Sequence, residues 1–224
     1  MKKLYDDLSI GIPSGIRIDS CVIDKEWTAV RANGNVGIAR TLQMSENPEE
    51  LAATFTGAYL RDTANHMKWN NLALASVGVA AMNAWYNTKE RAEGLNGLVP
   101  VESISQNAVF VGDYLGALPL PLCPDFDENV YSALKSTDTI VISADALTTR
   151  ALSKLLDIVG DNSNVILEGW SLPCTALFFA FGMPVRELRG VYRSPVDSFE
   201  ACANENLFDS DCAKPFCVRS DCVF

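Results

Sequence analysis

"DTIVISADALTTRALSKLLDIVGDNSNVILEGWS", residues 138–171, decides the architecture. It opens on a short apolar run, "DTIVIS" (138–143), and closes on a second, "NVILEG" (164–169). Both are Val/Ile-rich, both end in a loop, and both are too short for a helix, so they read as buried strands. Between them "ALTTRALSKLLDIVG" (146–160) repeats Leu147, Leu152, Leu155, Leu156 and Val159 at helical spacing. Strand, helix, strand is the unit of a parallel sheet with helices on its faces. The same pattern extends outward. "NAVFVG" (107–112) precedes it as a strand, "CTALFFAFG" (174–182) follows as a short buried helix, and "VRELRGV" (185–191) is a further strand. A final helix is expected within 195–206. The expected sheet has at least four strands.

Upstream the pattern differs. "IRIDSCVI" (16–23) alternates Ile16, Ile18, Ser20 and Val22, the period of a half-buried strand. "WTAVR" follows the turn at 24–26, and "NG" at 33–34 is a strong hairpin signal leading into "VGIARTL". "SENPEEL" then supplies Asn47 as a cap, Pro48 at the first helical position and Glu50 three residues after the cap. Leu51, Phe55 and Tyr59 recur on one stripe. "NNLALASVGVAAMNAWYN" (70–87) is apolar nearly all round, as a helix buried on most sides must be. Within it Asn83 needs a hydrogen-bond partner, which neighbouring backbone can supply. "ERAEGLNGLVPVESIS" (90–105) has no period and holds two glycines and a proline. The reading is therefore α/β throughout: an α+β domain over 1–100, an α/β domain with a mostly parallel sheet over 101–206, and a cysteine-rich tail over 207–224.

Composition narrows the function. A 48% hydrophobic and 21% charged content over 224 residues is that of a globular protein with a real core. No apolar run reaches the about 18 residues of a membrane helix, and "MKKLYDDLSIGIP" has no apolar h-region. The expected location is the cytoplasm, with no membrane partner. A formal charge of −10, spread along the chain, repels phosphate backbones and argues against nucleic acid. Anionic small molecules stay open, since local amides can hold them.

In an open α/β sheet, ligands gather beyond the carboxyl ends of the strands. Three loops leave those ends here: 112–125, 143–150 and 169–174. They offer Gly112, Asp113, Tyr114, Cys123, Ser143, Asp145, Thr148, Thr149, Gly169, Trp170, Ser171 and Cys174. Ordinary turn and capping roles account for any one of them; together at one rim they make the default pocket. The helical half near 69–87, with Asn70, is expected as its far wall. "VGDYLGAL" holds only Gly112 and Gly116, which counts against a dinucleotide fingerprint, and neither a P-loop nor a G-x-S-x-G elbow occurs. The single histidine, His66, lies between helices and reads as a surface residue.

Cys212, Cys217 and Cys222 stand five residues apart in "FDSDCAKPFCVRSDCVF". Helical steps of five fan the thiols around the axis, and odd steps alternate faces of a strand. Only a folded loop gathers them, and Pro215 favours a turn. Cys202 is the nearest fourth donor for a tetrahedral metal. Asp209, Asp211 and Asp221 raise thiol pKa values against that role, and Lys214 and Arg219 offset them only partly. Seven cysteines, an odd number, argue against a disulfide framework. A metal site, a redox-active or disulfide-forming tail, and a thiol-rich end without special role stand side by side.

Several stretches carry a resemblance. "WTAV", "GNVGIA" and "KWNNLALASVGVAAMNAWYN" are similar to the amino-terminal half of the putative heavy-metal chelation family. "FVGDYLGALP", "STDTIVISADALTTRALSKLL" and "VILEGWSLPCTALFFAFGMPVRELRGVYR" are similar to its carboxy-terminal half. The resemblance covers roughly residues 5–205 and implies a small enolase-amino-terminal-like domain fused to a Rossmann-like domain. It also implies a heavy (transition) metal or a metal-chelating small molecule, bound in an interdomain cleft; the residues alone name no cofactor. Where the family commonly has a Gly-Pro-Ser-type turn this chain has "EGWSLP", which sets Trp170 beside the pocket and points to a different ligand from its relatives'. The cysteine tail lies beyond the resemblance. Three functions follow: a binder of such a ligand; an enzyme acting on it, with Asp113 or Asp145 as proton acceptor; and an assembly role in which the tail docks on a partner. A homo-oligomer is left open.

Overall fold

The computed structural model describes residues 2–104, 107–112, 128–159, 163–180, 183–193 and 213–223. The expected meander forms: β1 (Ile18–Ile23), β2 (Trp27–Ala32) and β3 (Asn35–Arg40) pair antiparallel in that order. Asn33 and Gly34 take φ of 52° and 77°, the two positive values that a two-residue I′ turn demands. The alternation in β1 is interrupted, because its register slips between Ile18 and Ser20. Ile18 and Ile23 are consequently the buried ends of the strand, while Val22 is only half-buried. An extra residue in one strand sends the following side chains to the other face.

Five helices accompany the meander: α1 (Lys2–Ile10), α2 (Pro48–Phe55), α3 (Leu60–Ala64), α4 (Leu72–Tyr86) and α5 (Lys89–Gly94). Pro48 takes the first helical position of α2, but Asn47 caps it without a side-chain hydrogen bond. Tyr59 does not continue the stripe; it lies past the end of α2, exposed, with the Arg17 guanidinium 4.2 Å over its ring. α4 is capped by Asn71, whose side chain accepts from the Leu74 N–H at 3.1 Å. Its burial on nearly all sides depends on close approach to β3. A Cβ on Gly37 would lie 2.1 Å from the Ala80 carbonyl oxygen and 1.9 Å from the Ala84 nitrogen, so only glycine lets helix and strand touch here. Asn83 donates from Nδ2 to the Ile38 carbonyl at 2.8 Å, the backbone partner expected of it. Its Oδ1 has no partner among the described residues.

The second sheet has the order β4-β5-β6-β7-β8: Val109–Val111, Thr139–Ser143, Asn164–Glu168, Val185–Arg193 and Ala213–Arg219. The first four strands are parallel, and β8 joins β7 antiparallel. It does not merge with the meander. α6 (Glu128–Ser136) precedes β5. The helix expected over 146–160 is two pieces, α7 (Asp145–Thr148) and α8 (Leu152–Ile158). Arg150 sits between them at φ 61°; a left-handed residue ends a helix. Its guanidinium donates to the Lys68 carbonyl at 3.3 Å, across to the first half. Residues 176–179 form a 3₁₀ turn rather than an α-helix. The helix expected within 195–206 lies outside the described residues.

The tail needs the largest correction. Residues 213–219 are not a loop but the fifth strand, and Pro215 lies within it. Pairing runs from Arg193↔Ala213 to Glu187↔Arg219, burying Phe216, Cys217 and Val218. An edge strand tolerates a proline because one side of it makes no ladder. One hydrophobic cluster runs through both halves, from Leu4 and Leu8 through Met82 to Ile142, Leu155 and Phe216. No helix among the described residues is long and apolar enough to cross a membrane.

Candidate functional site

β7 is nine residues long and β6 only five. Because Glu168, the last residue of β6, pairs with Arg189, the stretch of β7 from Gly190 onward overhangs and is backed by β8 alone. That ledge, the carboxyl ends of β5 and β6, and the end of the meander enclose a cleft of about 710 Å³.

Of the residues expected there, Ser143, Asp145, Gly169, Trp170 and Ser171 line it. Gly112 stands behind Ser143: at φ 126°, a Cβ on it would lie 2.4 Å from the Ser143 Cβ. Thr148 is fully buried and does not line the cleft; its hydroxyl has no partner among the described residues. Cys174 is also buried away from it, and burial pushes its thiol up to about 12. Asn70 is exposed and elsewhere. Asp113, Tyr114 and Cys123 lie outside the described residues.

The far wall is not the helical half. It is the meander: Lys25, Glu26 and Trp27 before and at the start of β2, and Arg40 and Thr41 at the end of β3. α4 packs on the meander through Gly37 and lends no lining residue.

A closed triangle joins the two halves here. The Ser171 hydroxyl donates to Asp145 Oδ1 at 2.9 Å, the Arg40 N–H donates to Ser171 Oγ at 3.1 Å, and Arg40 Nη1 lies 3.4 Å from Asp145 Oδ2. Asp145 sits at the start of α7, and its own N–H donates to Ser143 Oγ at 3.3 Å. Beside the triangle runs a charge row centred on the buried Arg189. Arg189, only 7% exposed, donates from Nε to Glu187 Oε1 at 2.6 Å and holds Nη1 3.7 Å from Glu168 Oε2. Burial raises the Glu168 pKa; the Arg189 charge opposes this and Glu187 adds to it. Burial also acts on Glu187, but hydrogen bonds from Arg189 and Cys217, with the Arg189 and Arg219 charges, outweigh it and hold its carboxyl below the usual range.

Three cations (Lys25, Arg40, Arg189) and three carboxylates (Glu26, Asp145, Glu168) therefore line the cleft. It is locally balanced within a chain of formal charge −10. Glu168 was legible in principle, since it ends a strand directly before the Gly169 loop. Trp27, Arg40 and Arg189 were not, because no loop at the carboxyl edge carries them.

Of the four cysteines considered as metal ligands, Cys217 and Cys222 are described. Cys217 is buried in β8, where its thiol donates to Glu187 Oε1 at 3.0 Å. Burial, reinforced by Glu187, pushes that thiol up to about 12. Cys222 is exposed in the turn after the strand, its Sγ 3.7 Å from Asp221 Oδ1. Cys202 and Cys212 lie outside the described residues. Among the described residues no group of three or more His, Cys, Asp or Glu could hold a metal ion. In the cleft Asp145 and Glu168 each face a guanidinium instead. The described donors do not fit a bare metal.

Fold and cleft together define a mixed α/β protein whose two sheets meet at a polar, indole-lined cleft. The chain belongs to the family described as "Putative heavy-metal chelation", two models of which match residues 5–86 and 120–213. A crystal structure of a protein of unknown function from the same family, from Desulfitobacterium hafniense, is similar with a TM-score of 0.76 at 23% identity, covering 97% of each chain. Another protein of unknown function from that family, from Pyrococcus horikoshii, aligns with a TM-score of 0.63 at 14% identity, over 97% of this chain and 98% of that one. These likenesses establish the fold. No functionally curated protein matches the chain.

Proposed function

We propose that the chain is a binding protein for a metal-chelating small molecule, held in the cleft between the meander and the second sheet. The observation that carries this is the lining itself: about 710 Å³ of space with three cations, three carboxylates and three hydroxyls, but no metal cage among the described residues. That volume suits a small organic molecule, and the donors suit one that carries its own metal ligands. A cytoplasmic setting is supported by the free thiols of Cys21, Cys174, Cys217 and Cys222, since reducing compartments keep thiols unpaired. A second reading, an enzyme acting on the same molecule, draws on Glu168, whose raised pKa at the cleft suits a proton carrier.

The test is native mass spectrometry with elemental analysis on full-length protein purified without oxygen. It is followed by calorimetric titration of citrate, salicylate and picolinate, each metal-free and as the zinc complex. The expected result is binding of at least one chelator, weakened by Arg40→Gln, with any retained metal lost together with an organic species. Stoichiometric metal without an organic species, or no binding by any chelator, would overturn the reading. A change in ligand mass on incubation would favour the enzyme.

A further inference from the structure

We infer that the chelator taken by this cleft is aromatic, a flat ring stacked on the Trp27–Trp170 pair with its acidic group turned toward Arg40 and Arg189. This rests on the reading of the cleft as a chelator site. Three observations carry it.

The first is where the indoles are. Trp27 opens β2 of the meander and Trp170 follows β6 of the other sheet, yet their rings meet with centroids 5.4 Å apart and tilted by 46°. Both line the cleft and both are only half-buried. The remaining two tryptophans lie elsewhere: Trp85 packs against the core under Arg91, and Trp69 is exposed beside His66. A tryptophan pair at a cleft offers aromatic area and edge-to-face or offset stacking to a ring that enters it.

The second is the apolar remainder. Val101, Val191, Pro215 and Phe216 line the same space, an environment that suits a ring better than a hydrated aliphatic polyacid. The third is charge. With Glu26, Asp145 and Glu168 matching Lys25, Arg40 and Arg189, a trianion such as citrate brings three charges into a site with no net positive potential. An aromatic chelator with one carboxylate brings one, and Arg40 and Arg189 supply the planar donors that recognise it.

The experiment titrates the full chain with salicylate, picolinate and citrate, metal-free and as zinc complexes, by calorimetry and by quenching of indole fluorescence. The variants are Trp170→Ala, Trp170→Phe and, as a control outside the cleft, Trp69→Phe. The aromatic ligands are expected to bind at least about tenfold more tightly than citrate. Trp170→Ala should weaken them by about tenfold while leaving citrate unchanged, and Trp170→Phe should restore most of the loss. Trp69→Phe should bind as the parent does. Citrate binding as tightly as the aromatics, or aromatic binding indifferent to Trp170→Ala, overturns the inference and leaves the chelator site standing. No binding by any of the three overturns both.

Discussion

Asn87 is a side chain that ties the two halves together. It ends α4, is 4% exposed, and makes three hydrogen bonds to backbone of the second half. Its Nδ2 donates to the Leu172 carbonyl at 2.8 Å and the Val191 carbonyl at 3.0 Å, and its Oδ1 accepts from the Cys174 N–H at 2.8 Å. Asn87→Ala removes all three. At about 1 kcal/mol net per bond the loss is about 3 kcal/mol, and a Cys174 N–H stranded in the interior adds about 1–3 more. The expected total of about 4–6 kcal/mol is a large share of the about 5–15 kcal/mol that stabilises a domain. Urea unfolding followed by both tryptophan fluorescence and far-ultraviolet circular dichroism measures it. Because the bonds tie one half to the other, the two probes should separate in the variant and coincide in the parent. Asn71→Ala is the control, since it removes one exposed capping bond from the same helix and should cost about 1 kcal/mol. If Asn87→Ala costs no more than Asn71→Ala, the reasoning fails.

Glu168 gives a pH signature. Its folded pKa lies above the unfolded value of about 4.3, so its stabilising contribution is present below that pH and is lost as pH rises through the folded value. Glu168→Gln, uncharged throughout, should therefore melt above the parent at neutral pH, the gap closing as pH falls toward about 4; a gap independent of pH would refute this. Among the described thiols, burial first of all pushes Cys21, Cys174 and Cys217 up to about 12, so at pH 8 roughly one in 10⁴ is thiolate. Iodoacetamide followed by peptide mass mapping should find Cys222 modified early and those three protected until denaturant is added. Early modification of Cys174 or Cys217 would show that the burial is wrong.

Much of this protein is written locally. Val and Ile runs set β4 to β6, Asn33–Gly34 sets the hairpin, and the all-round apolar stretch sets α4, because period and turn chemistry act within a few residues. The carboxyl-edge rule then placed Ser143, Asp145, Gly169, Trp170 and Ser171 at one rim with no contact known in advance. The break at Arg150 was less legible, since Leu147 and Ala151 stand four residues apart across it, a helical step, while the backbone between turns left-handed. Two features only the tertiary structure decided. "AKPFCVR" carries a proline, a lysine and no alternation, and is a strand because the outer edge of β7 accepts it; its residues acquire that conformation from a partner about 26 positions away. The wall of the cleft is the meander because Gly37 fixes α4 to the back of β3, which leaves Trp27 and Arg40 to meet Trp170 and Asp145. Pairing at a sheet edge and the choice of facing surface come from burial summed over the whole chain, and no local period records them.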